Sequence, residues 1–209
     1  MPVVLGVADH SGWAIFVSVA AEGGVPRIAD RRHVELIAKG LPNQPYHHET
    51  LAMSEHDAER LLDRVRKSIS ISVDHALDRL SADLKSESRV KALTIREPTL
   101  PSLPPTVAEV HASYRVTCAA DGMLYHSAIC KAARERGWEV EFFRRGGAAA
   151  QAAEILGTST PDADRFLTDL GKALGPPWTK EHRDATAAAI RVLGNHSKFR
   201  AGGAARRAK

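Results

Sequence analysis

The chain has 209 residues, 29 of them Lys or Arg and 25 Asp or Glu, for a net charge of +4; that is enough for one sizeable domain with its own core. No run of about twenty apolar residues is present, which excludes a membrane-spanning helix, and the N-terminal Met-Pro-Val-Val-Leu lacks the basic segment of a signal peptide. Cys118 and Cys130 form neither a disulfide framework nor a zinc-ligand pair, and they read as reduced thiols of a cytoplasmic protein.

The charge is unevenly placed. After His196 there are five basic residues (Lys198, Arg200, Arg206, Arg207 and Lys209) and no acid; without them 24 basic residues face 25 acidic ones. The expected organisation is therefore one domain over 1–195 and a basic, disordered tail over 196–209. Such a tail suits non-specific phosphate contact or simple solubility.

Residues 3–9 form a short apolar run, a buried first strand. Period two puts Val3, Leu5, Val7 and Asp9 on one face, so an acid closes an apolar row. That is an expensive place for a charge without a partner or a metal. His10, Ser11 and Gly12 signal a turn. Residues 13–20 form a second strand, 21–25 a hairpin turn and 26–37 a third strand, giving an antiparallel meander. A loop follows over 40–46, then His47, His48 and His56, whose spacing fits no common metal pattern.

Ser54, with Asp57 three residues on, caps a long amphipathic helix reaching about Leu84. Leu62, Val65, Ile69, Val73, Ala76, Leu80 and Leu84 recur at helical spacing along it. Residues 89–97 predict a fourth strand in which Leu93, Ile95 and Glu97 share a face, again an acid ending an apolar row. Pro98, Pro101, Pro104 and Pro105 stop it at once. Helices are expected over 107–120 and 123–136, broken at Asp121 and Gly122. A fifth strand over 138–143 follows, and its helical crossover implies parallel pairing. Two helices, 148–156 and 162–174, lead through Pro176 and Pro177 to a last helix from Trp178 to Ile190. Thr179 is its N-cap, with His182 at N3 and so no full capping box. Glu181 and Asp184, three apart, project from one face beside Ala185, Ala188 and Ala189. A helix this smooth can press against a sheet and present its acids at the sheet's edge.

Strands one and four, if adjacent and parallel, set Asp9 and Glu97 side by side at their C-terminal ends, where open α/β sheets bind ligands. Gathered carboxylates resist ionisation unless a cation neutralises them. Hard oxygen donors favour Mg2+ or Mn2+ over zinc. Two such ions suit phosphodiester cleavage. The plainer alternative is four acids at exposed element ends, with Glu181 and Asp184 solvating the first turn of their helix.

In element order the chain resembles the RNase H-like superfamily, and within it the RuvC group of Holliday-junction resolvases. The resemblance runs from about Val3 to Leu193. It is carried by Leu5-Gly-Val-Ala-Asp9 on the first strand, by Thr94-Ile-Arg-Glu97 on the fourth, and by Asp184-Ala-Thr-Ala on the last helix. Asp9 stands one residue further from its glycine than the group's pattern has it. Glu181 replaces a typical Asp, and Arg96 and Pro98 flank Glu97 unusually. The resemblance implies an α/β fold, a five-stranded mixed sheet ordered 3-2-1-4-5 and flanked by helices. It implies a metal-dependent endonuclease acting on nucleic acid, DNA rather than RNA and branched DNA in particular, with a homodimer by analogy. Asp9, Glu97, Glu181 and Asp184 would then be catalytic and hold Mg2+ or Mn2+. Arg144, Arg145, Lys180 and Arg183 would contact phosphates. Arg144 and Arg145 read equally well as a polar loop. Trp13, Trp138 and Trp178 read as core packing in preference to base stacking. Two other functions stay open: an inactive nucleic-acid-binding or assembly module on the same fold, and an ATP-handling relative, against which stands the lack of a Gly-rich phosphate loop.

Overall fold

The computed structural model describes residues 1–144, 146–197 and 199. Its sheet has five strands: β1 (Pro2–Asp9), β2 (Trp13–Glu22), β3 (Val25–Glu35), β4 (Arg89–Arg96) and β5 (Glu139–Phe143). The order is β3-β2-β1-β4-β5. β1 pairs with β2, and β2 with β3, antiparallel; β1 with β4, and β4 with β5, run parallel. This is the expected 3-2-1-4-5 sheet. It has the β1–β4 neighbourhood that sets two strand-end acids side by side.

Among the described residues six α-helices cover the sheet: α1 (Glu55–Asp83), α2 (Val107–His111), α3 (Tyr114–Glu135), α4 (Ala148–Leu156), α5 (Thr160–Leu174) and α6 (Lys180–His196). Alternation along β1 sends Leu5 and Val7 to a core shared with α1 and α3, and Val4 and Ala8 to a second core against α4, α5 and α6. On α1 the stripe Leu62, Val65, Ile69, Val73, Leu77 and Leu80 is buried, and Ser54 Oγ accepts the N–H of Asp57 at 3.2 Å to cap its start. Among the described residues no helix is long and apolar enough to cross a membrane.

Two local expectations are corrected. Asp121 and Gly122 do not break a helix, because α3 runs through both; the interruption falls earlier, at Ala112 and Ser113. Asp121 serves the loop instead: its buried carboxylate accepts the backbone N–H of Tyr46 at 2.9 Å and of His47 at 3.1 Å. A residue that usually bonds its own turn here bonds a distant one, which its position inside a packed helix allows. The second correction lies at α6, where His182 completes a capping box. Its Nδ1 accepts the Thr179 N–H at 3.2 Å. Burial, with Arg31 nearby, lowers the His182 pKa, which keeps that nitrogen free to accept. The three tryptophans pack: Trp13 and Trp138 border the two cores, and Trp178 lies over Gly171 with its Nε1–H donated to Leu167 O at 3.0 Å. α6 continues through His196, and the rest of the expected tail, Lys198 and residues 200–209, lies outside the described residues.

α6 is seated by a glycine. A Cβ on Gly6 of β1 would meet the Ala185 carbonyl oxygen at 2.1 Å. The helix backbone therefore rests directly on the central strand. Arg31 of β3 anchors the approach to α6, donating to Gly175 O at 3.0 Å and Pro177 O at 2.7 Å.

Gly6→Ala is expected to lower unfolding free energy by about 1–3 kcal/mol, because backbone atoms cannot yield as a side chain can; an unchanged denaturation midpoint would contradict the close seating. Asp121→Ala leaves two backbone donors without their acceptor and is expected to cost about 1–3 kcal/mol in urea unfolding. Burial pushes the Asp121 carboxyl up to about 6. A folded pKa raised above the unfolded value favours the native state most at low pH. The stability gap between wild type and Asp121→Ala should thus shrink as pH rises from 4 through 6. A gap that widens over that range would show the opposite shift.

Candidate active site

Asp9 is the last residue of β1 and Glu97 directly follows β4. The Glu97 N–H donates to Phe143 O at 2.9 Å, which carries β4–β5 pairing one residue past the strand and fixes the backbone that bears the acid. Asp9 and Glu97 line one cleft of about 150 Å³, walled also by Arg96, Pro98, Met123 and His126. Asp9 is deeper, its side chain 15% exposed against 48% for Glu97.

Each of the four expected acids has a cationic or protonatable neighbour. Asp9 Oδ2 stands 3.2 Å from His126 Nδ1. Burial works against the His126 imidazolium, but hydrogen bonds to Asp9 and to Cys130, 3.6 Å from Nε2, outweigh it and push the pKa up to about 9. The imidazolium Nδ1–H therefore donates to the Asp9 carboxylate. Glu97 pairs with Arg144 Nε at 3.3 Å, with Arg144 83% exposed. Glu181 Oε1 lies 2.9 Å from Nε2 of His10, the residue after Asp9. Asp184 pairs with Lys180 one turn back on α6.

The structure thus brings Asp9 and Glu97 into one cleft, ties Glu181 to the tip of β1, and places Asp184 on the same helix as Glu181 and next to the Ala185 that touches β1. Among the described residues, no three His, Cys, Asp or Glu side chains stand close enough to hold an ion between them. The donors still fit a hard dication. Mg2+ commonly takes one or two protein carboxylates and fills its octahedron with water and substrate phosphate, and Asp9 with Glu97 supplies those two. Among the described residues no thiolate or imidazole set of the zinc type competes for the role.

Of the expected phosphate contacts, Arg144 and Lys180 are exposed and Arg183 is half-buried; Arg145 lies outside the described residues. Two site residues escaped the sequence reading. His126 gave one signal, a histidine at i+3 from Met123 and i−3 from Ile129 on an otherwise apolar face. Arg96 was noted only as an unusual neighbour of Glu97.

No family model matches the chain, and no curated protein matches it. Solved structures do. One, described as a Thermus thermophilus RuvC structure, is 15% identical with a TM-score of 0.48, over 93% of this chain and 95% of that one. Another, T. thermophilus RuvC in complex with Holliday junction substrate, is 14% identical with a TM-score of 0.51, over 94% of this chain and 95% of that one. Together with the sheet order, the second alignment shows that this chain has the RuvC-like form of the RNase H-like fold.

Proposed function

We propose that the chain is a divalent-metal-dependent endonuclease that cleaves phosphodiesters in DNA, with branched DNA as the preferred substrate. The observation that carries this reading is the meeting of Asp9 and Glu97, from adjacent parallel strand ends, in one cleft. The fold shared with a RuvC solved on a Holliday junction supports DNA as the partner.

In this reading Asp9 and Glu97 hold Mg2+ or Mn2+, and Glu181 and Asp184 extend the acidic surface from the start of α6. When bound, such an ion supplies a Lewis acid for the phosphoryl oxygen and lowers the pKa of a water. The protein's own residues do the rest. His126 holds Asp9 in one orientation through its Nδ1–H. Pro98 stiffens the exit from β4 beside Glu97. Arg144, Lys180 and Arg183 contact flanking phosphates, and Arg144 and Lys180 give up their acid partners to do so.

A second reading has its own support. All four acids are already paired, and no three stand close together. A binding module without turnover would have such an arrangement. The two separate in a cleavage assay with branched, duplex and single-stranded DNA and Mn2+. The nuclease reading expects cleavage that Asp9→Asn and Glu97→Gln each slow on the order of a hundredfold or more, with folding intact. Binding without cleavage by the wild-type chain supports the binding module. Cleavage that survives Asp9→Asn unchanged removes this cleft from the reaction.

A further inference from the structure

Three aromatic rings stack in a row across one end of the sheet. His10 lies over Trp13 with ring centroids 3.9 Å apart and planes 10° from parallel, and Trp13 lies over His33 at 4.8 Å and 23°. The row starts beside the cleft. His10 follows Asp9, donates its backbone N–H to Trp13 O at 2.9 Å, and stands 2.9 Å through Nε2 from Glu181. From the β1–β2 turn the row steps outward to β2 and on to β3, the edge strand. Trp13 pairs with Glu35 and Ile15 with His33, so Trp13 and His33 are diagonal neighbours on one face.

The middle ring is covered on both faces, and the last is not. His33 has one face against Trp13, yet 54% of its side chain is exposed, and among the described residues no further strand flanks β3. Its outer face is therefore open. Cross-strand aromatic pairs stabilise sheets, but a ring more than half exposed adds little burial to that end of the row. Glu35 Oε1 lies 3.6 Å from His33 Nδ1 and is itself 74% exposed, a surface pair that exchanges readily. Two residues before His33 on the same face, Arg31 Nη1 bonds the carbonyl oxygens of Gly175 and Pro177, which leave its positive charge in place. Beside the row, Trp13, Ile37 and Leu41 border a hollow of about 490 Å³, so this corner is accessible. An open flat ring near a fixed cation matches an unpaired nucleotide, whose base stacks while its phosphate stays close to positive charge.

We infer that His33 is a stacking platform for an unpaired nucleobase of bound DNA, which lies on its outer face and extends the His10–Trp13–His33 row by a fourth ring. This deepens the proposed function, resting on its DNA-binding part and not on cleavage.

The test uses the full chain in EDTA with two fluorescently labelled single strands of equal length, oligothymidylate and an abasic strand that keeps every phosphate but lacks the bases. Anisotropy gives the affinities of the wild type, His33→Ala, His33→Gln and His33→Tyr, and melting temperatures without DNA show whether each folds. The expected result is a roughly five- to hundredfold loss of oligothymidylate affinity for Ala and Gln, as when one base loses its aromatic partner. Tyr should recover the affinity, and all four chains should bind the abasic strand alike. Wild-type oligothymidylate affinity in folded Ala and Gln variants would overturn the assignment, and a lowered melting temperature alongside it would mark a packing role. An equal loss on both strands would overturn it too, since that marks a phosphate contact. Photocrosslinking of the wild type to an iodouracil-bearing strand needs no variant: an adduct on the peptide that carries His33 supports the platform, and adducts confined to other peptides overturn it. If the wild type binds through bases as expected but cuts no DNA in Mn2+, the assignment stands and the nuclease reading falls. If junction DNA is bound and cut while His33→Ala binds oligothymidylate like the wild type, the nuclease reading stands and the assignment falls. If the wild type does not bind DNA, both fall.

Discussion

A carbonyl oxygen resting against a glycine organises this molecule. Gly6 in the middle of β1 has no side chain, and the Ala185 backbone of α6 fills the space a Cβ would take. Helices usually stand off a sheet by the thickness of their side chains. Here α6 carries Ala185, Ala188 and Ala189 on the covered face and comes down to backbone contact. That seating decides where α6 begins. Its first turn, with Glu181, reaches the residue just beyond the tip of β1. A bulkier residue at position 6 would lift the helix and separate its acids from the strand ends.

The parallel pairing of β1 with β4 does the complementary work. Parallel neighbours end on the same side of a sheet, so Asp9 and Glu97 emerge together. Four carboxylates near one edge would repel one another, and each has a local basic partner: His126, Arg144, His10 and Lys180. Exposed pairs such as Glu97–Arg144 and Lys180–Asp184 contribute little to stability and exchange readily. Asp9–His126 is different in kind: both groups are mostly buried, and an imidazolium holds the carboxylate in the cleft. A cation arriving at Asp9 has to compete with that imidazolium, while one arriving at Glu97 meets an exposed surface arginine.

Much of this was legible in the sequence because it depends on periodicity. Period-two rows ending in Asp9 and Glu97, the meander of short-linked strands, and the helix-linked β4 and β5 all follow from local pattern, and the sheet has that order. The small residues of α6 announced its close packing. Contacts between distant segments were not legible. Asp121-Gly reads as a turn from local chemistry, and only the backbone N–H groups of Tyr46 and His47, more than seventy residues away, explain an acid inside a helix. His126 falls inside an expected helix, but its contact with Asp9, 117 residues away, is again one between distant segments.

The central claim is that the tips of β1 and β4 form a seat for a hard dication. Crystals grown or soaked with Mn2+ and measured at a wavelength where manganese scatters anomalously test it most directly. The account predicts an anomalous peak at the sheet tip, with oxygens of Asp9 and Glu97 as its protein ligands. Saturating Mn2+ with no peak there, and Asp9 still hydrogen-bonded to His126, would contradict it.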